Sequence, residues 1–340
     1  MKSAVTLLVP DLFFPPLRQV DIYQSVNLPA LSTLLSRGRW QALADISAEG
    51  WLCHQFGLDG SNPPLAALTL AMDGGEPGTA WWLRADPVYL NVMRDQLSLV
   101  TSDAFSLSQA EATALTDALN RHFAEDGLVF YPLHPTRWYL RFDQPPRLIT
   151  TPPEAVAGKH IDPFLPKGED GLKWHAWFNE IQMLLFSHPV NEAREERGET
   201  PVNSIWLWGG GTMPSLSAPP FKRIYAQDPV AASLALGSDT PLAHLPDNVG
   251  EVLAESDSNA LVVLDNARGA VQYNDLYGWH ESMQRLEENW FGPLVQALKK
   301  GQISSLRIIS TGLINAEITV RPLNLWQFWR RIKPMKQFLS

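Results

Sequence analysis

The side chains best suited to chemistry gather in one run, His188-Pro-Val-Asn191-Glu-Ala-Arg194-Glu-Glu-Arg197-Gly198. It leads through Pro201-Val-Asn203 into Ile205-Trp-Leu-Trp208 and then Gly209, Gly210 and Gly211. Imidazole, carboxamide and guanidinium groups all donate hydrogen bonds to a phosphate or carboxylate, and glycines let backbone N–H groups come close to an anion. His188, Asn191, Arg194, Asn203 and the three glycines therefore make a candidate anion pocket. The same residues fit a simpler arrangement, in which His188-Pro189 and Asn191 end one helix and Glu192 to Arg197 form a solvated charged face. The glycine run has neither GxGxxG spacing nor a Walker lysine, which excludes a nucleotide loop.

Asp11 and Asp265 are a second candidate pair. Each follows an apolar run, Val5 to Val9 and Ala260 to Leu264, of the kind that makes a buried parallel strand, and parallel neighbours would bring both carboxylates to one sheet edge. Two carboxylates can bind a divalent ion, and Asp275 and His280 downstream would extend them to a set for Mn, Mg or Zn. A two-metal site needs more ligands around ions about 4 Å apart. The strand ending Ile308-Ile-Ser-Thr-Gly-Leu313 brings no carboxylate or imidazole, and Asp265 alone suits the cap of a helix or turn. Cys53-His54 is a weaker candidate, because adjacent side chains point in different directions whereas a nucleophile and its base must face each other. No GxSxG, HExxH or CxxC motif occurs.

The elements that must position these residues follow from periodicity and punctuation. Pro29 to Gly38 predicts a helix with Pro at its start and Gly at its stop. Ser204 to Trp208, Ala260 to Leu264 and Ser305 to Ile309 repeat the strand signature of Val5 to Val9 and predict one sheet built from both ends of the chain. Ser108-Gln-Ala-Glu111 is a capping box opening a helix to about Phe123. Leu128 to Tyr131 and Arg137 to Phe142 predict a hairpin-like pair. The Pro- and Gly-rich stretch from Leu148 to Gly168 would return the chain to the main domain, where Leu172 to Phe186 predicts a helix. The expected organisation is a core domain of 1–75 and 151–340 with a small α/β insertion at 76–150.

Composition narrows the function. The 340 residues are 45% hydrophobic and 19% charged, enough for a large core or two unequal ones. The net charge of −9, with no dense basic block, argues against nucleic acid as a partner. The one basic cluster, Arg330, Arg331, Lys333 and Lys336, adjoins Trp326, Phe328 and Trp329; it suits a membrane surface or an acidic partner, but a helix packing its aromatic side on the core is the expected arrangement. A single cysteine excludes a disulfide framework and multi-thiolate zinc, and no apolar run reaches a membrane span or a signal-peptide core, so cytoplasm is the expected location. Each of the thirteen tryptophans needs burial or a partner surface.

The chain resembles the RpfE-type regulatory proteins of proteobacteria over nearly its full length. That resemblance rests on Val9-Pro-Asp-Leu12, Leu83-Arg-Ala-Asp-Pro-Val88, His122-Phe-Ala-Glu-Asp-Gly127, Arg137-Trp-Tyr-Leu140, Asn179-Glu-Ile-Gln-Met-Leu184, His188 to Arg194 and Val202-Asn-Ser-Ile-Trp-Leu-Trp-Gly-Gly-Gly211. More distantly it is similar to archaeal-type cofactor-independent phosphoglycerate mutases of the alkaline phosphatase superfamily, in the order of a first strand ending in Asp, an inserted domain and a His-Pro-Val-Asn-x-x-Arg segment. The resemblance implies an α/β phosphatase-like core sheet with helices on both faces plus a smaller α/β insertion. It also implies two divalent metals and a serine nucleophile. Asp11 matches the first-strand ligand, but Ser47-Ala-Glu-Gly-Trp-Leu-Cys-His54 offers no convincing serine at a helix start, and Thr311-Gly312-Leu313 stands where an Asp-His pair is implied. The resulting expectation is a catalytically degenerate member, with no cofactor, that binds an anionic small molecule or a regulatory protein partner. Its rivals are a metal-dependent phosphotransferase or phosphohydrolase using Asp11, Asp265, Asp275 and His280, and an interaction module working through the Trp-rich segment.

Overall fold

Leu7, Leu8 and Val9 are buried in the strand that their β-branched and leucine content predicts, β1 (Ser3–Pro10). The structure is a computed structural model and describes residues 3–16, 22–23, 26–60, 62–93, 96–254 and 259–339. The later strands are β2 (Arg39–Ala42), β3 (Trp81–Met93), β4 (Gln96–Val100), β5 (Phe130–His134), β6 (Arg137–Phe142) and β7 (Ser204–Gly211). They continue with β8 (Arg223–Tyr225), β9 (Leu242–Ala243), β10 (Asn259–Val263), β11 (Ile303–Thr311) and β12 (Ala316–Val320). The helices begin with α1 (Pro29–Arg37), α2 (Ala48–Gln55), α3 (Leu65–Met72), α4 (Gln109–His122), α5 (Gly171–Phe186) and α6 (Pro189–Glu196). After these come α7 (Pro229–Gly237), α8 (Gly250–Ala254), α9 (Arg268–Gln272), α10 (Leu276–Leu286), α11 (Gly292–Lys299) and α12 (Pro322–Leu325).

The chain divides into two compact units, Met1–Gly57 with Leu216–Ser340, and Leu58–Ser215. In the first, the sheet order is β2-β12-β11-β1-β10-β8-β9. β1 runs parallel to both β10 and β11, while β12 and β2 extend the sheet antiparallel. Leu31 and Leu34 of α1, Trp279 and Met283 of α10 and Leu294 and Leu298 of α11 bury one face together with Leu7, Val262 and Ile308. α2 packs on β1 and on α7. The mixed α/β class with a central sheet expected from the sequence is the one that forms.

The second unit holds a sheet ordered β4-β3-β6-β5, with β7 added on β3. The capping box at Ser108 and Glu111 forms as its spacing predicts, and the hairpin β5/β6 forms two residues later than Leu128 would start it. β7 is a correction. It was expected in one sheet with β1, but it pairs antiparallel with β3, Ile205 opposite Pro87 and Leu207 opposite Ala85. An apolar run buried on both faces carries no record of which sheet it joins, and the long strand β3 offers it an edge.

The boundaries 76 and 150 are narrower than this unit. The Pro- and Gly-rich stretch is a loop within the unit: Ile149 and Lys167 exchange backbone hydrogen bonds, and Trp206 Nε1 donates to Thr151 O at 2.8 Å. Trp174 and Trp177 of α5 share a core with Phe123, Phe130 and Trp138.

A buried ion pair holds this sheet together. Residues two apart on a strand share a face, and Arg84 meets Asp86 through two parallel hydrogen bonds of 2.7 and 2.8 Å. Trp208 Nε1 from β7 donates to Asp86 at 2.6 Å, and the guanidinium lies 4.9 Å from the Trp208 ring and 5.5 Å from that of Tyr139. The aromatic segment beyond α12 is a second correction: no long helix forms there, and Trp326, Phe328 and Trp329 point away from the core.

Candidate functional site

β1, β8, β10 and β11 run parallel, so their C-terminal ends share one edge of the first unit's sheet, the edge where α/β folds place ligands. Asp11 leaves β1 there in a left-handed conformation, φ 55°, with its N–H bonded to Thr311 O at 2.9 Å. Gly312 sits so close that a Cβ on it would lie 2.4 Å from Asp11 Oδ1. The Thr-Gly at the end of β11 is thus what the Asp11 side chain needs as a neighbour. Asp265 follows β10, and its backbone carbonyl accepts the Arg268 N–H at 3.0 Å in the turn before α9.

Arg268 is the centre of this edge. Its Nη2 lies 2.7 Å from Glu49 Oε1, a buried carboxylate in the first turn of α2. Asp228 caps α7 by accepting from Ala231 N at 2.7 Å. Burial pushes its carboxyl up, Arg268 pulls it down and the charges of Glu49 and Asp265 push it up again, bringing it to about 6. Burial, followed by Glu49 and Asp228, pushes the Cys53 thiol up to about 12, which makes it inert. Arg268 is thus paired with Glu49, and the charges of Arg268, Glu49 and Asp265 are all felt at Asp228.

The raised Asp228 value has a sign that can be measured. A carboxyl carried from 3.8 to about 6 by folding leaves its stability intact below the lower value and loses it as pH rises through the upper one. Asp228→Asn keeps a capping oxygen and removes the charge, so at pH 7 it is expected to gain on the order of 2 kcal/mol. Thermal melts at pH 7 and below pH 4 check this. A gain of equal size at both would place its origin outside the ionisation.

The other proposed metal ligands lie elsewhere in use. Asp275 is exposed and caps α10 by accepting from Gly278 N at 3.0 Å, and His280 Nε2 is 2.9 Å from Ile22 O. Among the described residues, no three of His, Cys, Asp and Glu come together as metal ligands. With Glu49 paired to Arg268, the donor set does not fit a two-metal centre.

A serine does stand at a helix start, contrary to the expectation from sequence. Ser47 is the N-cap of α2, and its hydroxyl accepts from Gly50 N at 3.0 Å. The expectation failed because α2 has only eight residues and mixes polar and apolar side chains without a clear apolar face, so little periodicity marks its beginning.

The His188 to Gly211 run lies in the second unit, and its polar groups are largely taken up by that unit's own backbone. His188 Nδ1 accepts from Val190 N at 3.2 Å as the N-cap of α6. Asn191 is buried and clamps Leu185 O and both backbone groups of Val202 at 2.7 to 2.8 Å. Asn203 exchanges two hydrogen bonds with Leu90. Arg194 is 1% exposed; its Nε donates to Thr200 O and Nη2 to Ser106 O, while Nη1 faces Glu111 and Glu199. Gly209, Gly210 and Gly211 end β7, and at Gly210 a Cβ would lie 2.3 Å from the Trp81 ring. Packing accounts for that glycine. The solvated-face alternative is corrected at Arg194, which is buried, and at His188, which begins α6 instead of ending a helix; the segment is a brace.

Sequence reasoning missed Glu49, Asp228 and Arg268. Asp228-Pro229 is an N-cap followed by Pro at the first helical position, a signature that could have placed an acid at the start of α7. Nothing local predicts the pairing of residues 49 and 268.

No family model matches the chain. It is 29% identical over 215 residues to the 2,3-bisphosphoglycerate-independent phosphoglycerate mutase of Methanosarcina mazei, covering 61% of this chain and 53% of that protein. To the enzyme of the same name from Methanosarcina barkeri it is 34% identical over 121 residues, 35% of this chain and 30% of that one. The chain thus spans about half the length of these curated relatives, or less. The solved PH0037 protein from Pyrococcus horikoshii has a related fold, with a TM-score of 0.51 at 13% identity over 94% of this chain and 87% of that one. The chain is a distant homologue of these mutases.

Proposed function

We propose that this protein is a catalytically degenerate relative of the phosphoglycerate mutases, retaining the scaffold for a regulatory, ligand-binding role of the kind its resemblance to RpfE-type proteins implies. The observation that carries this reading is Arg268: a guanidinium paired with Glu49, beside Asp228 and Asp265, puts a fixed positive charge among the carboxylates at the sheet edge. A permanent cation there removes the electrostatic reason for a mobile one. Asp11, the first-strand acid, is the residue of the original set best placed at that edge to meet a ligand.

Elemental mass spectrometry on the purified protein, with phosphatase and mutase assays in added Mn, Mg or Zn, tests the proposal. Metal far below one ion per chain and no turnover are expected. Near-stoichiometric metal with turnover lost in Asp11→Asn would overturn it. A second reading, a phosphotransferase, is favoured by Ser47, whose place at the start of α2 suits a hydroxyl that meets phosphate near free helix N–H groups. Turnover abolished by Ser47→Ala would select that reading.

A further inference from the structure

The segment from Arg321 to Leu339 contains Arg321, Arg330, Arg331, Lys333 and Lys336 and no acidic residue, on a chain whose net charge is −9. Leu325 and Met335 are both buried in the first unit's core, so the chain between them is a strap pinned at two ends. Arg37 bonds the Leu325 carbonyl, Arg330 Nη1 donates to Arg37 O at 3.3 Å, and Lys333 N donates to Ser36 Oγ at 2.8 Å. Held this way, the strap turns its apolar side chains outward. Trp326, Phe328 and Trp329 are 67%, 82% and 68% exposed, with Leu323 at 79% and Ile332 at 52% beside them. Large aromatics left in water on an anchored segment mark a contact surface.

We propose that this strap docks the protein on an anionic lipid surface. Tryptophan and phenylalanine side chains are at home in the interfacial layer of a bilayer, and lysines and arginines beside them bind the negative headgroups. Single-signed positive charge beside projecting aromatic side chains matches that layer, whose headgroups carry uniformly negative charge. The strap would add peripheral membrane attachment to the role proposed above, and it does not depend on that role.

The test is co-sedimentation of the full chain with vesicles of phosphatidylcholine alone or mixed with phosphatidylglycerol. Binding to the mixed vesicles only, weakened by salt, is expected. The double variant Arg330→Glu, Arg331→Glu should bind roughly 25-fold more weakly or worse, at about fivefold for each charge lost. Trp326→Ser with Trp329→Ser should weaken binding at least as much while leaving the thermal melt unchanged, because both rings are exposed. No binding to the mixed vesicles, equal binding to the neutral ones, or undiminished binding by the variants overturns the proposal. So does a self-association, seen by sedimentation velocity and lost in these variants, without vesicle binding.

Discussion

Arg268→Ala is expected to destabilise the first unit by about 3 to 5 kcal/mol in the absence of divalent ions, the cost of leaving a buried carboxylate without its partner. The loss should be partly reversed by Mn²⁺. In the variant Glu49 loses its paired guanidinium, and the negative charges of Glu49 and Asp265 felt at Asp228 are no longer offset, so an added cation is expected to recover part of the loss. A ligand that binds only the folded state at a hundred times its dissociation constant returns about 2.7 kcal/mol. Denaturant unfolding of both proteins, each in chelator and in Mn²⁺, separates the outcomes. The wild type should not respond and the variant should. If the variant is as indifferent to Mn²⁺ as the parent, the carboxylates are not arranged around a cation position, and the argument from Arg268 to lost metal catalysis fails. Arg268→Lys, which keeps the charge, should recover part of the stability without any response to Mn²⁺.

The second large effect belongs to Arg194. Its side chain joins α6 to Ser106 before α4 and to Thr200 before β7, with Glu111 and Glu199 facing its third nitrogen. Arg194→Ala removes a buried cation and leaves two carbonyl oxygens without donors, which costs about 3 to 5 kcal/mol. Arg197, three residues on and 48% exposed, reaches the same two glutamates. Arg197→Ala should cost far less, as exposed pairs do. Urea unfolding of the two variants checks the contrast. Equal effects would mean that burial is not what gives Arg194 its weight, and the anion-pocket reading of the segment would regain force. Glu111 adds a pH signature to the same brace. Burial raises its carboxyl, but the amide and hydroxyl of Ser108 and the Arg194 guanidinium outweigh that and hold it at about 2. Its contribution is therefore complete above its ordinary value of 4.5 and fades only as pH falls towards 2.

These two arginines also mark where the sequence is legible and where it is not. Elements with local signals were readable: the apolar run of β1, the capping box at Ser108 and Glu111, Pro29 at the first position of α1, and the strands of the β5/β6 hairpin. The polar segment around Arg194 was visible too, but its chemistry was ambiguous, since the donors that would hold a phosphate also hold backbone carbonyls. Burial decides between the two, and burial depends on contacts with Ser106 and Thr200 that no periodicity encodes. The partner of β7 was illegible for a related reason, because a run buried on both faces looks the same in either sheet. The edge around Arg268 was half legible. Strand-end acids at positions 11 and 265 stood out; the pairing of Glu49 with Arg268 joins residues far apart in the chain and leaves no trace in spacing.

The parallel pairing of β1 also constrains the order in which the chain can fold. Ala4 lies opposite Asn259 and Ser3 opposite Ile303, so the central strand of the first unit must wait for both of its neighbours until most of the chain has been made. Every strand pairing of the second unit, by contrast, falls between Trp81 and Gly211. On the ribosome the inserted unit can close while β1, with Leu7 to Val9 exposed and both edges bare, is still without a sheet. A bare apolar strand of this kind pairs readily with another copy of itself. Slow synthesis between residues 211 and 303 would lengthen that exposure, and the yield of folded protein would then be set by how long β1 stays single.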